Sequence, residues 1–243
     1  MNRLKSIFKV TLLTLGFSSY VHSQVEVTVD NKVLSFVENP RLSQVLEPID
    51  LKPNWYWRSA QLFKLDSDVA ENNKRNLIDQ LTSVSQSNDS TILTPLISQI
   101  ESWQLAQRID INIDYDLARF VLRYNPLFED GKYELKLTKR QSSLFIFGAV
   151  SQPQTLAYEN NQCIETIVAK IDKLEIADAN FVYAIQPDGV IRKLPIAYWN
   201  QECQQVMPGS QLYIPLAESQ WFSENTQLNQ LVAELAVHRI VIE

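Results

Sequence analysis

Residues 143–150 read SLFIFGAV, residues 154–158 QTLAY, residues 163–171 CIETIVAKI and residues 181–185 FVYAI. Ser151-Gln152-Pro153 separates the first two stretches, and Pro187-Asp188-Gly189 turns the last into VIRKLPI at 190–196. Apolar runs bounded by Pro, Gly and Asp are strands closed by turns, and the 3.6-residue spacing of Ile164, Ile167 and Ile171 is that of a short helix. Residues 143–196 therefore spell strand, strand, helix, strand, strand. The order occurs earlier in the chain as well. Val25, Val27 and Val29 alternate with polar neighbours, Asp30-Asn31 marks a turn, and Val33 to Val37 follow as a second strand. A short helical stretch at 41–46 and an aromatic strand at 55–65 come next. Each half closes alike, with Asn125-Pro126 before KYELKL (132–137) and Met207-Pro208-Gly209 before QLYIPL (211–216). The chain is read as two copies of a ββαβ-type unit, an α+β architecture.

An insertion interrupts the first copy. Val69, Leu77, Ile78, Leu81 and Val84 recur at helical spacing, behind Asp66, Ser67 and Asp68 as cap candidates. A second stripe, Leu93, Leu96, Ile97, Ile100 and Trp103, follows the break at SQSNDS. This is expected to be an antiparallel helical hairpin, about 66–107, standing on or beside the first sheet. Ile109, Ile111 and Ile113 return to strand periodicity, with Asp114 or Asp116 capping a short helix beyond.

The N-terminus reads as a secretory signal. Arg3, Lys5 and Lys9 precede the apolar stretch 10–17, and small residues end it at Ser23. Residues 1–23 are expected to be removed, and no Cys follows the cut as a lipoprotein anchor would require. Export to the periplasm follows. In an oxidising compartment the two cysteines, Cys163 and Cys203, are read as a structural disulfide in preference to buried thiols or a redox couple.

Composition removes whole classes of function. The chain has 243 residues and a formal charge of −6, which offers nothing to nucleic acid. With 2 His, His22 in the signal and His238 near the end, most metal and triad chemistry is excluded: His238 has no triad context, and a zinc set would need it to converge with two distant Cys. His238 is expected to be a cation at a helix C-terminus, one turn from Glu234. No catalytic residue, metal or cofactor is expected, and a monomer is. The one carboxylate cluster, Asp110, Asp114 and Asp116, could make a glycosidase pair if Asp110 and Asp114 share one side of a strand. Caps and strand ends place aspartates the same way.

Candidate binding residues are Arg108, at the junction of hairpin and returning strand, and Arg119 and Arg123 on the short helix. Guanidinium groups there could hold an anionic sugar or a partner's carboxylate, or pair with the three aspartates. Trp57, in Trp55-Tyr56-Trp57-Arg58, suggests a sugar-stacking strip, although Trp residues sharing a strand face are commonly core, and the same holds for Tyr198-Trp199. Leu228, Leu231, Val232 and Leu235 lie at i, i+3, i+4 and i+7, with Asn229, Gln230, Glu234 and His238 polar. A C-terminal amphipathic helix from Glu224 to Arg239 is expected, docked on the protein's own second domain rather than on a partner.

Several motifs together resemble a known family. The second unit, through Phe147-Gly148-Ala149-Val150, Val182-Tyr183-Ala184-Ile185 and Pro208-Gly209-Ser210-Gln211-Leu212-Tyr213, is similar to the SLBB-like β-grasp domains of outer-membrane polysaccharide exporters. The chain as a whole resembles the GfcC-type capsule biosynthesis family through Tyr56-Trp57, Asn125-Pro126-Leu127, Asp130-Gly131, Gln186-Pro187-Asp188-Gly189, Ala197-Tyr198-Trp199-Asn200 and the terminal LNQLVAEL. The resemblance implies two tandem β-grasp-like domains, at 24–141 and 142–217, and the C-terminal helix within 218–243. It further implies a non-catalytic periplasmic role in capsule or exopolysaccharide assembly and export. Polysaccharide or an outer-membrane polysaccharide exporter would be the partner. The alternative function is a periplasmic glycan-modifying enzyme using the aspartate cluster.

Overall fold

A computed structural model describes residues 24–49, 55–87, 91–199, 202–217 and 225–240. The expected signal, residues 1–23, lies outside them, as do the start of the expected C-terminal helix at Glu224 and Asn200. Among the described residues no helix is long and apolar enough to cross a membrane.

Strand β1 (Val25–Val29) buries its three valines and turns directly into β2 (Lys32–Phe36). The two-residue turn is Asp30-Asn31, both at positive φ (50° and 65°), the backbone that keeps a tight hairpin twisted with its strands. Helix α1 (Leu42–Leu46), β3 (Gln61–Lys64), α2 (Val69–Ser87), α3 (Thr94–Glu101), β4 (Gln107–Ile109), α4 (Tyr115–Phe120) and β5 (Gly131–Lys136) follow. The second half contains β6 (Ser143–Gly148), β7 (Gln154–Ala157), α5 (Ile164–Val168), β8 (Phe181–Ile185), β9 (Ile191–Pro195) and β10 (Gln211–Ile214), and α6 (Asn225–Val237) ends the described chain.

The repeat is exact at the level of topology. The first sheet has the order β2-β1-β5-β3-β4 and the second β7-β6-β10-β8-β9. In each, the two central strands (β1 with β5, β6 with β10) are parallel and every other pair is antiparallel. The fold is mixed α+β, with two five-stranded sheets and six helices among the described residues.

The hairpin departs from its expected place. Leu77, Leu81, Leu93, Leu96, Ile100 and Trp103 belong to the core of the second sheet, with Phe147, Val182 and Tyr213. The first sheet builds a separate, smaller core from Val25, Val27, Leu42, Val45, Leu62, Ile113 and Ala118, so α1 and α4 already cover it. Among the described residues, only the five-residue α5 comes from the second repeat's own crossover. The remaining apolar face of that sheet is taken by α2, α3 and α6. Trp103 meets Phe147 edge-on at 5.2 Å. The Gln99 side chain bonds both the N–H (2.9 Å) and the carbonyl (3.1 Å) of Gly148. Gly148, at φ 104°, could not carry a Cβ, which would overlap the Ile214 carbonyl and the Tyr213 ring. Lys74 of α2 donates to the carbonyls of Glu101 and Trp103 (2.8 Å each), closing the open end of α3.

Helix α6 buries Leu228, Val232 and Leu235, and half-buries Leu231. Asn229, expected on the polar face, is 3% exposed. Its Oδ1 accepts from the Tyr213 hydroxyl (2.7 Å) and the Leu216 N–H (2.9 Å), and its Nδ2 donates to the Leu216 carbonyl (2.8 Å). A side chain that completes three bonds at one point on the sheet belongs inside, whatever its hydropathy. Burial pushes the Tyr213 phenol well above its ordinary pKa, so it stays a donor.

Two other expectations are corrected. Trp55 and Trp57 do not share a strand: Trp55 makes an isolated bridge with Lys139, and Trp57–Ser59 is a 3-10 turn before β3. The strand expected through Ile113 stops at Ile109, where the Ile111 N–H folds back onto the Ile109 carbonyl (3.1 Å). Cys163 and Cys203 are joined, with Cα atoms 4.8 Å apart.

Two stability measurements test these assignments. Asn229→Leu should cost about 3 kcal/mol or more in chemical denaturation, because it strands three buried polar groups. Gln230→Ala, one residue on and exposed, should stay within about 0.5 kcal/mol of wild type. Replacing both cysteines by serine opens a loop of 40 residues and should cost about 4 kcal/mol; an unchanged denaturation midpoint would contradict a stabilising crosslink.

Candidate functional site at the domain junction

The junction is built on residues 104–108. Their backbone continues into β4 and receives the end of the chain as an extra pairing partner. The Ala106 N–H donates to the His238 carbonyl (3.0 Å), and the Ile240 N–H donates to the Gln104 carbonyl (2.9 Å). Leu105 and Arg239 pair as an antiparallel bridge.

The Arg108 N–H donates to Nδ1 of His238 at 3.0 Å. An accepting Nδ1 puts the imidazole proton on Nε2 and makes the ring neutral. Burial, and then the nearby Arg108 charge, push the His238 pKa below its ordinary value. The expected helix-terminal cation is thus a neutral acceptor tying the last helix to β4.

The Arg108 side chain crosses to the second domain, where its Nη2 donates to the Pro187 carbonyl at 2.5 Å. Gly189, at φ 90°, sits directly under the guanidinium, and a Cβ there would stand 3.3 Å from Cζ. Burial lowers the Arg108 pKa, opposed by the charges of Asp188 and Asp110. Gln61 of β3 reaches the same Pro187 carbonyl at 3.2 Å. Arg239 lies over the Phe145 ring at 4.1 Å and the Trp103 ring at 5.5 Å, and its Nη1 donates to Gln211 Oε1 at 3.2 Å.

Beside this seam opens a cleft of about 850 Å³. Its first wall is the β5 side of the first sheet, with Glu134, Lys136, Thr138 and Gln61. Gln141 lies on the connection between the domains, the second domain contributes Ser143, Phe145, Thr155 and Gln211, and Gln104 and Ile240 form the end at the seam. Amides and hydroxyls prevail. A smaller cavity of about 600 Å³ lies between α2, β9 and α6, with Asn73, Asn76, Gln80 and Glu234 around Leu77 and Leu235.

The candidate residues are not brought together. Arg108 belongs to the junction, whereas Arg119 lies over the rings of Tyr115 (5.3 Å) and Phe120 (5.5 Å), and Arg123 over Tyr124 (4.5 Å). Among the described residues none of the three forms an ion pair with Asp110, Asp114 or Asp116. Asp114 is the cap of α4, accepting the Leu117 N–H at 3.0 Å, and Asp110 and Asp116 are exposed. Trp57 packs half-buried against the smaller core. Tyr198 and Trp199, expected inside, are 89% and 76% exposed. The cleft's glutamines and threonines carry no sequence signal, because neutral amides on strands look like any solvated face. Gln211, just after Pro208-Gly209, was the nearest to legible.

The His238 assignment has a pH signature. Its folded pKa is below the unfolded value of about 6.5, so the unfolded chain binds the proton more tightly. Its contribution is complete above pH 6.5 and is lost as pH falls through the folded value. Denaturation midpoints should therefore be flat from about pH 8 to 7 and decline below about 6.5. His238→Asn, which keeps an acceptor near Nδ1 but does not titrate, should flatten the upper part of that decline.

The motifs used for the resemblance now have physical roles: Asn125 bonds the Ser43 N–H (2.9 Å) and Oγ (3.0 Å) at the start of α1, and Gly189 seats Arg108. Residues 21–140 match the family description "Capsule biosynthesis GfcC, N-terminal", and residues 152–241 match "Capsule biosynthesis GfcC C-terminal". The chain is also similar to the uncharacterized protein YjbG of Escherichia coli (strain K12), 27% identical over 228 residues that cover 92% of this chain and 89% of that protein. With both halves matched in order, the chain belongs to the GfcC family of capsule biosynthesis proteins.

Proposed function

We propose that this protein is a non-catalytic periplasmic accessory factor in capsule or exopolysaccharide assembly and export, and that it holds a segment of the polysaccharide in the cleft between its two domains. The observation that carries the reading is the cleft: about 850 Å³ lined by amide and hydroxyl side chains from both sheets. Such groups supply paired donors and acceptors to sugar hydroxyls. In this reading the domains are tandem β-grasp units, the second SLBB-like, and the repeated strand order with parallel central strands supports it. The disulfide and the basic start of the chain support an exported protein. A glycan hydrolase is disfavoured because Asp114 is occupied in capping α4 while Asp110 and Asp116 face solvent.

A second reading, docking on the export channel, is favoured by one patch. Phe120 and Leu122 are 78% and 71% exposed, beside Arg119 and Arg123. Exposed aromatics with arginine are typical of protein interfaces.

Complementation of a deletion strain separates the two. Gln104→Trp with Thr155→Trp fills the cleft from exposed positions, and Phe120→Glu spoils the patch. The cleft variant should reduce surface polysaccharide at least about tenfold at unchanged protein level, and should lose binding of purified polysaccharide by about 1.4 kcal/mol or more. Phe120→Glu should leave that binding intact. Full surface polysaccharide from the cleft variant, with none from Phe120→Glu, would replace the first reading by the second.

A further inference from the structure

We infer that the cleft selects an uncharged stretch of glycan and discriminates against polyanionic ones; the inference rests on the glycan-cleft reading and adds the substrate class. The lining decides it. Beside Gln61, Gln104, Gln141, Gln211, Thr138 and Thr155, the charged lining residues are Asp30, Glu134 and Lys136. Lys136 Nζ stands 3.9 Å from Glu134 Oε1, so its charge is balanced within the wall. One lysine against two carboxylates leaves the lining with a net negative charge.

The arginines at the seam do not change this. Arg108 donates across the junction to the Pro187 carbonyl. Arg239 donates to Gln211 and lies flat on Phe145. A guanidinium grips a carboxylate through a pair of parallel N–H groups, and each of these two already gives one terminal N–H to protein. The whole chain carries −6, so a polyanion also meets a repulsive field on approach. Once inside, an uronate would be stripped of water opposite amides, with the Lys136 charge already balanced by Glu134.

Neutral sugars meet the opposite situation. Each hydroxyl both donates and accepts, as do the amide side chains and the Thr and Ser hydroxyls of the wall. Stacking contributes little, because the Phe145 ring already carries the Arg239 guanidinium on a face at 4.1 Å. Recognition is by hydrogen bonds, with geometry rather than charge as the filter. A polysaccharide carrying both kinds of residue would be held by its neutral units with the acidic ones outside.

The test uses surface polysaccharide purified from the producing cells and cut to short fragments, in three forms: native, carboxyl-reduced, and oxidised at primary hydroxyls to carboxylates. Titration calorimetry is run in about 20 mM and about 300 mM NaCl, where exposed charge interactions are respectively strong and screened. Native and reduced fragments should bind with dissociation constants that agree within about twofold at the two salts. Oxidised fragments should bind at least about tenfold more weakly at low salt, and the gap should narrow at high salt. Thr28→Lys with Thr155→Lys places two cations in the lining and should abolish or reverse the preference. Tighter binding of the oxidised form by the wild-type chain, or a native affinity that falls tenfold with salt, overturns the inference and leaves the cleft as a glycan site. An unaltered preference in the lysine variant overturns it too, since selection would then lie elsewhere. If no form binds, the glycan-cleft reading fails and the inference with it.

Discussion

The whole arrangement depends on a single short seam, the pairing of His238 to Ile240 with residues 104–108. It carries two backbone hydrogen bonds and the Arg108 N–H to His238 Nδ1 bond. Through it the last helix is fixed to the edge of the first sheet. Arg108 continues the same line of contacts into the Pro187-Asp188-Gly189 turn of the second. The Ala106 N–H is buried and would be left unsatisfied if its bond were lost, which favours the seam closing as a unit.

The cleft beside it is a by-product of that geometry. Two sheets of identical topology are held by their edges and by a helical layer, not by a shared core. Their facing margins retain strand side chains of the solvated kind: Thr28, Gln61, Thr155 and Gln211. A site made this way inherits neutral polar chemistry. That distinguishes it from the basic grooves built to hold phosphates or uronates.

Much of the fold was legible in the sequence because period-two valines, Pro and Gly turns and helical stripes report local structure faithfully. The repeat could be seen in VEVTV, FVYAI and the two Pro-bearing closures. Which sheet the hairpin would cover could not be read, since Leu77, Leu96 and Trp103 are apolar whichever face receives them. Asn229 was misread for the converse reason: its partners, Tyr213 and Leu216, lie on another element. His238 was taken for a cation because Glu234 is its sequence neighbour, whereas the neighbour that matters is Arg108, 130 positions away. The site was the least visible part. Arg108 stood out, but the amides lining the cleft are ordinary residues whose meaning comes only from the opposing wall.

The larger core joins residues 77–103, 144–216 and 228–236. An apolar cluster drawn from three such separated stretches cannot be completed until the last of them has been synthesised. The first sheet has its own smaller core, but the hairpin that interrupts it has no surface to settle on before the second exists. Completion of the larger core is therefore dominated by non-local contacts and delayed to the end of the chain, a slow class of process. Until then the helical hairpin has no apolar face to cover, even where the first sheet has closed its own core.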